Sequence, residues 1–245
     1  VLYWNRTILN NEGVASPPEF WDDFLTLVPT LVVRDETSNI TRAAVGMGEY
    51  RNVNNAKAIL TSLIQQAGND IVTRDAEEGV YESILDERLG YALRPADTAV
   101  NFFVQFSNPI KDVYTWNRAL PNSRDMFLSG DLAFYFGYAS ELPELRQKNP
   151  NLNFDVTFLP QSRSSEKKSV TGKMHFVGIL NKSPNIASAF TSLAKLITPT
   201  NNSKWSEITG LPPVRNEVLG QVPNSSFQDI FNRSALISVP FLDPN

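Results

Sequence analysis

The chain has 245 residues, 42% hydrophobic and 20% charged, a balance that suits a globular protein with room for one large core or two smaller ones. A net charge of −4 lacks the basic face that nucleic acid requires, and no apolar run reaches the roughly 18 residues of a membrane span. With no cysteine and a single histidine, His175, disulfides, thiolate chemistry and multi-histidine metal centres are excluded, and no cofactor is expected.

The chain opens on Val1-Leu2-Tyr3-Trp4, a β-type run with no initiator Met, basic leader or apolar signal core. Such a start is expected of a truncated chain. Residues 5–13 read as a short helix stopping at Gly13. Ser16 then offers an N-cap, with Pro17 in the first turn and Glu19 three residues on. Phe20, Trp21, Phe24, Leu25 and Val28 follow at helical spacing until Pro29 ends or kinks the pattern. Residues 30–33 are extended and 35–39 form a polar turn. Residues 43–47 are a small-residue strand ending in Gly48-Glu49-Tyr50-Arg51.

Residues 54–66 make the clearest helix, with Ala56, Ile59, Leu60, Leu63 and Ile64 on one face and Gly68 as its stop. Residues 70–95 are mixed and charged, as surface turns are. A second helix covers 96–107, presenting Ala99, Phe102, Phe103 and Phe106, and Asn108-Pro109 ends it. Residues 125–129 are helical up to Gly130. Leu132-Ala133-Phe134-Tyr135-Phe136 is then a strand with no polar alternation, as expected of one buried on both faces. Gly137 ends it, and Glu141-Leu142-Pro143-Glu144 begins another helix. In open α/β sheets ligands gather beyond the carboxyl ends of strands, which puts Tyr138 to Ser140 beside a crevice.

Residues 154–159 alternate like a strand, 161–169 form a polar loop and 173–180 read as a further strand. Ser183-Pro184 starts a helix whose apolar face runs over 186–197. A short helix at 205–208 precedes the break Gly210-Leu211-Pro212-Pro213, and 214–245 is turn-rich. Strands and helices alternate without an internal repeat, which indicates α/β.

Four pieces in order resemble a known family. They are Leu2-Tyr3-Trp4-Asn5 with Gly13-Val14 and residues 17–24; Phe127, Gly130, Ala133 and Gly137; Thr171-Gly172-Lys173 with Ser183-Pro184-Asn185; and Leu211-Pro212-Pro213-Val214-Arg215. Together they are similar to the extracellular solute-binding proteins of ATP-binding-cassette importers, in the maltose-binding branch. The resemblance implies an α/β, periplasmic-binding-protein-like (type II) two-lobe fold. Residues 1–178 would be the second lobe, with a hinge strand at 1–5. Residues 179–211 would return to the first lobe, and 212–245 would pack back on the second, cut short at the end. It further implies a monomer, extracellular or periplasmic, tethered by a lipid anchor outside this chain, that hands a mono- or oligosaccharide to permease subunits.

A sugar offers C–H faces to stack on and hydroxyls to bond. By the resemblance, the loop carrying Met47, Gly48, Glu49 and Tyr50 faces the cleft, with Glu49 accepting hydroxyls and Tyr50 stacking. Gly137, Tyr138 and Ser140 form a second loop with Tyr138 as platform. Trp116, His175 beside Lys173, and Arg215 are further candidates. Each has a plain alternative: Tyr50 and Tyr138 as cover for a core edge, Trp116 as core, Glu49 as a solvated turn residue, His175 as structural, Arg215 as a turn cap. Trp4 and Trp21 read as structural. The Asn-x-Ser/Thr sequons at Asn5, Asn39, Asn201, Asn224 and Asn232 reflect an Asn-rich chain.

A glycan-active or hydrolytic enzyme is the rival class. No nucleophile elbow, phosphate loop or dinucleotide fingerprint occurs, and the pairs Asp22/Asp23 and Glu77/Glu78 are sequence neighbours that point apart. A non-sugar ligand, or a sensor module without transport, is the other alternative.

Overall fold

Leu132-Ala133-Phe134-Tyr135-Phe136 has no side chain suited to water, and in the computed structural model of the protein it is buried along its whole length, at the middle of a five-stranded sheet. The structure describes residues 1–75, 77–90, 92–165, 167–220, 223 and 225–241. In chain order the elements are β1 (Leu2–Asn5), α1 (Arg6–Asn11), α2 (Trp21–Leu31), β2 (Val33–Arg34), β3 (Ile40–Val45), α3 (Ala56–Gln66), β4 (Val72–Arg74) and β5 (Tyr81–Ser83). There follow α4 (Pro95–Val104), α5 (Ser123–Ser129), β6 (Leu132–Phe136), α6 (Leu142–Lys148), β7 (Phe154–Thr157) and β8 (Val170–Thr171). Last come α7 (Ile186–Leu196), α8 (Pro199–Thr209), α9 (Asn216–Leu219), α10 (Ser226–Leu236) and β9 (Ser238–Val239).

The main sheet runs β2-β3-β6-β1-β7. β3 lies parallel to β6, whereas β1 is antiparallel to both β6 and β7. Period-two alternation along β6 divides the aromatic core. Phe134 and Phe136 meet Phe24 of α2, and Trp21 packs edge-on against Phe24 and Phe102. On the other face Tyr135 stacks between Tyr3 and Phe127. Phe154 closes that side and receives Phe227 of α10.

Several boundaries depart from the sequence reading. The helix expected from Pro17 begins only at Trp21, because Glu19, Phe20 and Trp21 pair with Gln161 instead: Gln161 N donates to Glu19 O at 2.9 Å and Trp21 N to Gln161 O at 3.1 Å. α2 continues through Pro29 to Leu31, so 30–31 are helical rather than extended. Residues 173–180 form no strand; they are irregular and mostly exposed, with no strand among the described residues to pair with them. Within 214–245, α10 is a full helix capped by Ser225, whose hydroxyl accepts Gln228 N–H at 3.2 Å. It buries Phe231 against the sheet side; its flanking turns hid it in the sequence.

Gln66 ties the long connection after β7 to the core. It accepts the Trp21 indole N–H at 2.7 Å and donates to Pro160 O at 3.1 Å and Ser169 O at 2.9 Å, all buried. Gln66→Leu keeps the bulk and strands three buried polar groups, and should cost about 3 kcal/mol or more in a urea titration, given about 1–3 kcal/mol for each buried group left unpaired. A loss below about 1 kcal/mol would mean that water replaces the amide.

Candidate functional site

Parallel β3 and β6 end side by side, Val45 being level with Phe134, while Leu2 at the start of antiparallel β1 is level with both Phe136 and Thr157. One edge of the sheet therefore carries the loop after β3, the loop after β6, the first residue of the chain and the exit of β7. This is where an α/β sheet offers a crevice.

The loop after β3 is pinned from below. Gly48 takes φ +93°, and a Cβ there would stand 2.6 Å from Ser107 N, so only glycine fits both the backbone and the space. The Ser107 hydroxyl donates to Gly48 O at 3.0 Å. Asn52 donates to Asn117 O and Leu120 O and accepts the Trp116 indole N–H at 3.1 Å. Trp116 is thus fully buried and presents no face to a ligand; its ring supports the loop from the core. Met47 is equally buried. Glu49 is engaged by Arg118 at 2.8 Å, and Tyr50 stands free, 73% exposed.

The loop after β6 is pinned from behind. A Cβ on Gly137 would meet Tyr135 and Tyr3 ring atoms at 2.9 Å, so the chain passes over two stacked phenols only because position 137 has no side chain. Tyr3 donates its hydroxyl to Tyr138 O at 2.8 Å, and Gly137 N donates to Val1 O at 3.2 Å. Glu141 accepts Tyr138 N–H at 2.8 Å and the Tyr135 hydroxyl. Tyr138 is half-buried and Ser140 exposed.

Between this loop and α3 lies a small crevice of about 40 Å³, open to solvent, whose wall includes Gly137, Tyr138, Asn55, Ser62, Leu159 and Thr171. It combines an aromatic ring, an amide and two hydroxyls on an apolar floor, a mixture suited to a small polar solute with C–H faces. Of the residues singled out in the sequence, only Gly137 and Tyr138 line it. Glu49 and Tyr50 sit on the neighbouring loop along the same edge. His175 and Lys173 are exposed in the irregular 173–180 stretch. Arg215 lies on another surface beside Asn216 and Glu217, bonded to Glu217 and to Ile197 O. Asn55, Ser62, Thr171 and Glu141 escaped sequence reasoning; the one available signal was Asn55 standing at the start of the clearest helix.

Residues 1–228 match the family of bacterial extracellular solute-binding proteins. The chain belongs to that family. It is a family of binding proteins, not of enzymes, and the α/β binding-protein fold expected from the sequence is the fold found. No curated protein matches the chain at a significant level. Solved structures share the solute-binding protein's fold at low identity. An ABC transporter solute-binding protein from Thermotoga lettingae bound with α-D-tagatose is 18% identical, with a TM-score of 0.62 over 96% of this chain and 57% of that one. UgpB from Mycobacterium tuberculosis, in complex with glycerophosphocholine, is 15% identical, with 0.65 over 98% and 57%. The maltose/maltodextrin-binding domain MalE from Bdellovibrio bacteriovorus, bound to maltotriose, is 14% identical, with 0.65 over 98% and 58%. The chain therefore spans 57–58% of the length of these proteins.

The phenols behind the loop carry a pH signature. Burial, with the Glu141 carboxylate second, pushes the Tyr3 and Tyr135 hydroxyls far above the ordinary 10.0, and Tyr138 shifts the same way for the same reasons. A raised folded-state pKa favours the neutral phenol in the fold, so the stability involved is intact below pH 10 and declines above it, as the unfolded chain ionises first. An ultraviolet titration of the protein beside its Tyr3→Phe and Tyr135→Phe variants should show, by difference, that these two phenols stay neutral above pH 10 and ionise only with unfolding. Ionisation of either at its ordinary value in a folded protein would contradict the buried arrangement.

Proposed function

We propose that this solute-binding protein is the receptor of an ABC importer and takes a carbohydrate at the sheet edge described above. The observation that carries the reading is Tyr138, half-buried at the lip of a crevice whose other polar groups are an amide and two hydroxyls. Its ring is a stacking face for a sugar, and Asn55, Ser62 and Thr171 are neutral hydrogen-bonding partners for hydroxyls. Tyr50, on the adjacent loop, extends the platform along the edge. The sugars named for two of the similar structures, tagatose and maltotriose, agree with this chemistry.

Residues 1–178 act in this reading as the second lobe of a two-lobe receptor, β1 as a hinge strand, 179–211 as a segment returning to the first lobe, and 212–245 as a segment packing back on the second. Surface character supports the division. α7 buries none of its residues although its apolar side chains fall on one face, and Phe176 at 81%, Leu180 at 81% and Ile208 at 78% stand exposed around it. An apolar face of this extent on a soluble protein is a contact surface. Closure of two lobes on a solute is the established behaviour of periplasmic binding proteins. The closed form would then dock on the permease, from a position outside the cytoplasm and held at the membrane by a lipid anchor.

The test is a thermal-shift series on the full-length protein with tagatose, maltotriose, glycerophosphocholine and a set of amino acids. A sugar present at a hundred times its Kd should stabilise the protein by about 2.7 kcal/mol. Tyr138→Ala should abolish that shift and Tyr50→Ala reduce it, with little change in the ligand-free Tm for Tyr50→Ala. A shift from amino acids alone would remove the carbohydrate assignment.

A further inference from the structure

Asn55 occupies the N-cap of α3 yet its side chain does not cap the helix. Its backbone sits in the left-handed region at φ 60°, which asparagine tolerates better than most residues but which still costs stability. What the conformation accompanies is a cross-link. The Asn55 amide donates to Glu141 Oε1 at 2.8 Å and to Phe136 O at 3.2 Å. Glu141 in turn accepts Tyr138 N–H with Oε1 and the Tyr135 hydroxyl with Oε2. The carboxylate thereby joins three elements: the stalk of the loop after β3, the loop after β6, and β6 itself. Hydrogen bonds to a carboxylate are stronger than neutral ones, and here they lie between partly buried groups. A helix cap spent in this way, on a backbone held in a less populated region, marks a position selected for something other than helix stability.

We propose that Glu141 is a positioning residue of the ligand site, and that the Asn55–Glu141 link sets the two ligand loops in one fixed relation. The proposal rests on the binding reading above. Glu141 does not touch the solute in this scheme; three donors already occupy its oxygens. Its effect reaches the solute through Tyr138, whose N–H it holds while Tyr3 holds the carbonyl from the opposite side. The peptide units flanking the Tyr138 ring are therefore clamped before any ligand arrives, and the ordering that binding would otherwise have to impose on this loop is already done.

The full-length protein and its Glu141→Ala, Glu141→Gln and Asn55→Gly variants would be compared by calorimetric titration with tagatose and maltotriose, and by hydrogen exchange of peptides covering 46–55 and 137–141. Asn55→Gly removes the amide while relieving the left-handed backbone, two opposing effects on Tm, and a role in the fold alone predicts unchanged affinity whatever the Tm. The positioning role predicts that Glu141→Ala and Asn55→Gly each weaken binding about tenfold, the scale of one lost charge-assisted hydrogen bond. Exchange in both peptides should accelerate together, and Glu141→Gln, which keeps an acceptor for Tyr138 N–H, should recover most of the affinity. Sugar binding at parent strength in Glu141→Ala and Asn55→Gly would overturn the proposal and leave the binding reading standing. So would losses of affinity that follow Tm and are absent in Asn55→Gly. No heat from either sugar in the parent protein would remove the carbohydrate reading, and the proposal with it.

Discussion

Everything at the candidate site depends on β6 being covered from all directions. Its two faces meet aromatic rings, its two edges meet β3 and β1, and all five of its residues are buried. A strand in that position has no freedom of register, because a slip of one residue would exchange Tyr135 with Phe134 or Phe136 and turn the one phenol in the run toward the side of Phe24 and Trp21. The fixed register places Gly137 over the stacked rings of Tyr3 and Tyr135 and delivers Tyr138 to the crevice. The site's geometry is thus a consequence of core packing, and the loop has little local choice.

The elements legible in the sequence are those whose pattern is complete within the segment. α3, α4 and β6 each carry their own face, and each begins within two residues of its expected place. The misreadings share one cause, a dependence on distant partners. The capping signal Ser16-Pro17-Pro18-Glu19 is sound locally, but pairing of residues 19–21 with Gln161 overrides it. Residues 173–180 read as a strand, but a strand without a neighbour leaves its peptide groups to water. α10 went unseen because its face, Phe227, Ile230 and Phe231, gains meaning only against Phe154 of β7.

The site was legible to the same extent and for the same reason. Gly137 and Tyr138 follow directly from the end of β6 and could be named from one segment. Asn55, Ser62 and Thr171 could not, since the crevice arises only when α3 and β8 are laid beside that loop; Thr171 N–H donates to the Ser62 hydroxyl at 2.9 Å across more than a hundred residues of chain. Trp116 illustrates the opposite error. A tryptophan near a polar turn looks like a stacking platform, yet its indole N–H is bonded to Asn52 and its ring is sealed beneath the loop after β3.

The distribution of apolar surface bears on how such a site would work. The sheet side of the crevice is rigid, with its loops bonded to α5, to β1 and to each other, whereas 176–208 exposes Phe176, Leu180, Phe190, Trp205 and Ile208. A solute can drive closure only by the difference between its contacts in the closed and open forms. A loop already clamped by Tyr3 and Glu141 gains nothing from closure itself, so the solute would bind it almost equally well in both forms. On the proposed two-lobe reading, the differential contacts would then come from the other lobe. The described loops would supply affinity and orientation, and the second set of contacts would supply the closing force.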